Sequence, residues 1–163
     1  MGNFLKLIIF VVLSLITAGA RAGDAGTQVV DPWVQAAPPS VKVLAAYMEI
    51  KNNGKKPLHL VSITSSDFGQ VEIHRSVMHG NMVHMEQQKE LVIPPNGSVT
   101  LKPGGTHLML MKPRKALNTG DTIPIVLFFK NGEKISTTAT VRSGPTEEAS
   151  PHQHGDHSSH KGH

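Results

Sequence analysis

The stretch Thr122-Ile-Pro-Ile-Val-Leu-Phe-Phe129 (TIPIVLFF), followed by Asn131-Gly132 and then Lys134–Val141 (KISTTATV), decides the fold. An apolar run this short, rich in branched and aromatic side chains, reads as a buried strand. Asn-Gly ahead of a second extended run is the turn chemistry of a β-hairpin.

The same pattern runs back toward the N-terminus. Val29–Ala36 reads as a first strand with Trp33 as a core anchor, and Val41–Lys51 alternates so that Leu44, Ala46, Met48 and Ile50 share one face. Asn52-Asn53-Gly54-Lys55 turns into Leu58–Thr64, and Val71–His74, Val83–Gln87 and Leu91–Ile93 follow as shorter extended pieces. Pro94-Pro95-Asn96-Gly97 breaks the chain before Ser98–Lys102, and Pro103-Gly104-Gly105 breaks it again before His107–Met111. Turns recur every ten residues or so, with no sustained helical period. The expected fold is all-β: an antiparallel sandwich or Greek-key barrel over residues 23–142.

The two ends read differently. Lys6 precedes an apolar run, Leu7–Thr17, and Ala20-Arg21-Ala22 offers an A-x-A cleavage site. That is a secretory signal peptide over residues 1–22, too short in its apolar part to span a bilayer, so no membrane insertion is expected after cleavage. No cysteine lies near the cleavage site to carry a lipid. At the other end, residues 143–163 (SGPTEEASPHQHGDHSSHKGH) contain no large apolar side chain and read as a disordered tail.

Composition excludes several classes of function. The 163 residues hold ten His and seven Met but no Cys. Disulfide frameworks, thiolate zinc sites, iron–sulfur clusters, thiol nucleophiles and the His₂Cys blue-copper site are all ruled out. Without residues 1–22, 14 basic side chains face 12 acidic ones, a net charge of +2. No basic run is interleaved with aromatics, so nucleic acid is not an expected partner.

The chemistry must then lie in imidazole and thioether. Five histidines (His152, His154, His157, His160 and His163) fall in the tail, where a flexible chain can gather several imidazoles around Cu(II) or another divalent ion. Within the domain, His and Met concentrate in Ile73–Met85 (IHRSVMHGNMVHM) and in His107-Leu-Met-Leu-Met111. In a strand, His107 and Met109 share one face while Leu108 and Leu110 share the other; adjacent His84 and Met85 diverge, so only one of them can join a shared site. Pairing the first segment with the second would form a four-ligand cluster, with Met78, Met82, His84 and Met111 open as alternates. Met48 reads as core, His59 as a surface or hydrogen-bonded histidine, and His79 as a solvated side chain at a loop tip. Glu72 and Glu86 flank the motif, face away from Ile73 and Met85, and are given no catalytic role.

The pattern His74-x10-Met85-x21-His107-x-Met109 resembles the signature of the periplasmic copper chaperone family PCu(A)C. The surroundings, including Trp33, Ala45-Ala46-Tyr47, Asn52-Asn53-Gly54, Val71-Glu72-Ile73-His74 and Pro103–Met111, extend the resemblance over Val29–Val141. It implies a cupredoxin-like β-sandwich that holds Cu(I) through His74, Met85, His107 and Met109 outside the cytoplasm. It also implies delivery to a copper-accepting protein, commonly a cytochrome c oxidase subunit or its assembly factor. Soft thioethers suit Cu(I), and four neutral ligands leave the ion's single charge uncompensated. A binding protein is expected rather than an enzyme; the alternative is a copper-resistance or zinc/copper storage protein acting through the tail.

Overall fold

The computed structural model describes residues 26–144; the expected leader, and the tail from residue 145 onward, lie outside them. Ten strands form: β1 (Thr27–Gln35), β2 (Val43–Asn52), β3 (Leu58–Thr64), β4 (Phe68–His79), β5 (Met82–Gln88), β6 (Leu91–Ile93), β7 (Gly97–Leu101), β8 (Thr106–Pro113), β9 (Thr122–Phe129) and β10 (Lys134–Arg142). Among the described residues no helix is long and apolar enough to cross a membrane.

The strands hydrogen-bond in the order β5-β4-β8-β2-β1-β10-β9-β3-β6, with β7 also paired to β2. This open path folds around a single core drawn from both its ends and its middle. Leu44, Ala46, Met48 and Ile50 of β2 all enter that core, as their alternation predicted, and so do Leu108 and Leu110 of β8. One pairing departs from the expected antiparallel plan. β1 runs parallel to β10, with Trp33 opposite Thr140 and Val34 opposite Val141.

The hairpin that decided the fold is present, with β9 and β10 paired from Lys134↔Phe128 to Thr140↔Thr122. Gly132 adopts a φ of 88°, a conformation that favours glycine, and its N–H donates to the Phe129 carbonyl at 2.9 Å. The apolar run is not buried on both faces. Ile123, Ile125, Leu127 and Phe129 enter the core, while Val126 and Phe128 are half-buried on the opposite face. There the Lys134 ammonium lies 5.4 Å from the centre of the Phe128 ring, its apolar stem and charge shared between ring and water.

Trp33 is not the core anchor its size suggested. Adjacent strand residues point to opposite faces, and Val34, fully buried, takes the inward position. A register shift between Val30 and Trp33 re-aims the strand, and Trp33 stacks instead on Tyr47, with ring centres 4.6 Å apart. Arg142 caps the arrangement at 5.4 Å from the indole centre.

The buried Asn52 ties two turns together. Its amide nitrogen donates to the carbonyls of Lys56, Ile93 and Pro94, and its oxygen accepts the Gly54 N–H at 2.9 Å. The Asn-Asn-Gly turn read from the sequence is thereby locked to the Pro-Pro break some forty residues later.

Leu110→Ala should lower unfolding free energy in urea by about 2–5 kcal/mol through lost burial and a residual cavity, whereas exposed Val92→Ala should stay within about 0.5 kcal/mol. Equal losses at both positions would contradict this assignment of the core.

Candidate metal centre

The centre is built on three neighbouring strands, β5, β4 and β8. Gly80, with a φ of 63°, and Asn81 close the two-residue loop of the β4–β5 hairpin, so that His79 pairs with Met82 and Ser76 with Met85. On its other side β4 pairs with β8, setting His74 opposite His107 and Glu72 opposite Met109. Strand parity then settles the faces. Ile73, Leu108 and Leu110 point into the core, so His74, His107 and Met109 point outward. Met85, opposite Ser76, shares that outward face. The two histidines are direct cross-strand neighbours; Met85 (opposite Ser76) and Met109 (opposite Glu72) each lie diagonally from His74, on opposite sides of it along the strand and about 7–8 Å away by strand geometry, within reach of a long thioether.

The four positions named from the sequence are thus brought onto one face. His107 is buried, at 5% exposure, and Met85 is open, at 60%. The His74 and His107 ring centres are 6.3 Å apart. Two imidazoles bound to one first-row ion, at about 2.0–2.1 Å per nitrogen, reach ring centres roughly 6.4 Å apart only when collinear with it, so the rings stand at the outer limit for sharing an ion and a bent four-ligand geometry draws them closer together.

Hydrogen bonds fix what each ring can offer. His107 Nδ1 lies 3.0 Å from the Gly105 carbonyl; since only an N–H can bond there, Nδ1 carries the proton and Nε2 keeps its lone pair. Metal-binding histidines are commonly oriented in this way. Tyr47, next to His107 with ring centres 6.5 Å apart, shields it from solvent. Burial pushes the Tyr47 phenol above its usual pKa, so it stays neutral and its hydroxyl donates to Gln35 Oε1.

Parity also sorts the alternates. Met78 and Met111 lie on the same outward face as the four, at its two ends, whereas Met82 and His84 lie on the reverse face of the hairpin. On that reverse side His84 stacks near His79, and His79 Nε2 lies 3.7 Å from Glu86. His79 is solvated at the hairpin tip, His59 is half-buried beside Glu90, and Met48 is core, as the sequence suggested. Among the described residues no three His, Asp or Glu side chains gather into a group able to hold a metal ion.

One participant was overlooked. Glu72 sits two residues before His74, hence on the same face, and its carboxylate accepts from His74 Nε2 at 2.8 Å. The i, i+2 spacing was visible in the sequence, but the residue was judged only against Ile73. The Glu72 carboxylate also places a negative charge beside His74 that the reading of four neutral ligands did not include. The tail histidines His152, His154, His157, His160 and His163 lie outside the described residues.

Comparison with known proteins identifies the family. Residues 27–141 match the model of the family "Putative lipoprotein LpqE-like". The chain is 32% identical over 134 residues to the putative lipoprotein Lxx21020 of Leifsonia xyli subsp. xyli, covering 80% of this chain and 78% of that protein. Among solved structures, it is similar to Cu(I)-DR1885 from Deinococcus radiodurans, with 31% identity and a TM-score of 0.61 over 78% of this chain and 87% of that one. It is also similar to the apo PCuAC domain from PmoF1, with 26% identity and a TM-score of 0.62 over 73% of this chain and 95% of that domain. The family's description as lipoproteins places its members outside the cytoplasm, although this sequence holds no cysteine to carry a lipid. The outward His/Met face, the cupredoxin-like sheet beneath it and these matches lead to one conclusion: the chain belongs to the LpqE-like, PCuAC-type family of copper chaperones, whose members are metal carriers and not enzymes.

Proposed function

We propose that this protein is a periplasmic copper chaperone that binds one Cu(I) through His74, Met85, His107 and Met109 and delivers it to an acceptor protein. The observation that carries the reading is the co-location of two imidazoles and two thioethers on one outward face, with the His107 tautomer set to leave Nε2 free. Thioethers are soft donors that select Cu(I), and a site without thiolate is not consumed by disulfide formation in an oxidising compartment. The similarity to a structure titled Cu(I)-DR1885 supports the choice of metal and oxidation state.

Openness supports release. Met85 is more than half exposed, so an approaching acceptor can displace its thioether first. A thiolate-bearing acceptor binds Cu(I) more strongly than neutral ligands do, which makes the transfer downhill. Assembly of the copper centres of cytochrome c oxidase is the destination we assign, with an oxidase subunit or its assembly factor as acceptor. Residues 1–22 act as the export signal, residues 23–142 as the copper-binding domain, and the tail histidines His152–His163 as a tethered collector of Cu(II), raising its local concentration near the domain. An external reductant then supplies the electron that converts Cu(II) to Cu(I).

Two outcomes are expected. Titration of Cu(I) against a chromophoric competitor should give one tight equivalent for the wild type and, for the double variant His107→Ala, Met109→Ala, a loss larger than the roughly 10–100-fold that follows removal of an outer-shell partner. Unchanged affinity would refute the assignment. Deleting residues 146–163 should abolish Cu(II) binding near pH 7 and leave the Cu(I) equivalent intact. Loss of both would favour a storage or resistance protein working through the tail, and its metal would be released as pH falls through the imidazole range.

A further inference from the structure

We infer that Glu72 is a positioning residue that makes Nδ1, and not Nε2, the nitrogen His74 offers to copper; this rests on the Cu(I) site proposed above. The Glu72 carboxylate, with a side chain only 19% exposed, lies 2.8 Å from His74 Nε2. A carboxylate only accepts, so Nε2 must carry the hydrogen, and the neutral ring keeps its lone pair on Nδ1. That second nitrogen is the informative one. It is buried and has no hydrogen-bond partner, a condition that is unfavourable unless something fills it.

Glu72 is itself held in place. Gln70, two residues earlier on the same face of β4, donates from Nε2 to Glu72 Oε1 at 2.6 Å, leaving Oε2 for His74. Gln70, Glu72 and His74 thus form a relay along one strand, anchored by the pairing of Glu72 with Met109 and of His74 with His107 on β8. His107 uses the opposite device, with its Nδ1–H on the Gly105 carbonyl and Nε2 free. The two imidazoles therefore present different nitrogens to a shared ion, one steered by a neutral carbonyl and the other by an anion. The anion additionally raises the donor strength of His74 and offsets the charge of Cu(I).

The test uses the full mature chain labelled with ¹⁵N-histidine at pH near 8, where ordinary imidazoles are neutral. Long-range ¹H–¹⁵N spectra should show His74 protonated at Nε2 in the apo protein, and one equivalent of Ag(I), a diamagnetic stand-in for Cu(I), should move the Nδ1 resonance. Glu72→Ala should mix the two apo tautomers and weaken Cu(I) binding about 10–100-fold. Glu72→Gln, whose amide oxygen can accept the same bond, should restore the tautomer and most of the affinity even if the alanine variant folds poorly. Movement of His74 Nε2 on Ag(I) addition, or an unchanged tautomer in Glu72→Ala, would overturn the inference. If His107 fails to respond as well, the Cu(I) site itself is refuted along with the part given to Glu72.

Discussion

The register between β4 and β8 is the constraint on which the rest depends. Setting His74 opposite His107 brings two ligands from positions 33 residues apart in sequence into direct cross-strand contact, and the same pairing places Glu72 opposite Met109. Because side chains alternate, a slip of β8 by one residue would send His107 and Met109 inward and the core leucines Leu108 and Leu110 outward, while His74 on β4 kept its face. The burial of Ile73, Leu108 and Leu110 therefore does more than stabilise the sheet. It fixes which face of the three strands carries the two histidines and two methionines of the proposed site.

From that register the division of labour follows. On one side His107 is enclosed by Tyr47 and tethered through Nδ1, so its position changes little. On the other, the β4–β5 hairpin extends past the core, and Met78, Met82, Val83 and Met85 are all exposed there. A rigid imidazole end and an open thioether end suit a carrier, which must hold its ion and yet give it up. The edge strand β5 completes the site from a position where a partner can reach it.

Much of this was legible in the chain, for reasons that can be named. Leu58–Thr64, Leu91–Ile93 and Thr122–Phe129 coincide at both ends with the strands read from sequence, because turn residues bound each of them. β4 was read as Val71–His74 but runs from Phe68 to His79; its distal half is solvated on both faces and so carries no alternation to detect. The parallel contact between β1 and β10 and the outward turn of Trp33 depend on partners distant in sequence, which local pattern does not encode. At the site, the four proposed ligand positions stood out through residue type and spacing, and strand parity puts them on one face. Glu72 did not stand out: its i, i+2 spacing put it on the face of His74, but the 2.8 Å contact between its carboxylate and the imidazole depends on side-chain conformations that spacing does not encode.

The donor set itself is the central claim, and X-ray absorption at the copper edge of the protein loaded with one equivalent of Cu(I) tests it most directly. The account predicts two sulfur and two nitrogen scatterers around the ion, with the sulfur contribution lost in the Met85→Leu, Met109→Leu variant. A first shell of nitrogen and oxygen alone in the wild type would contradict it.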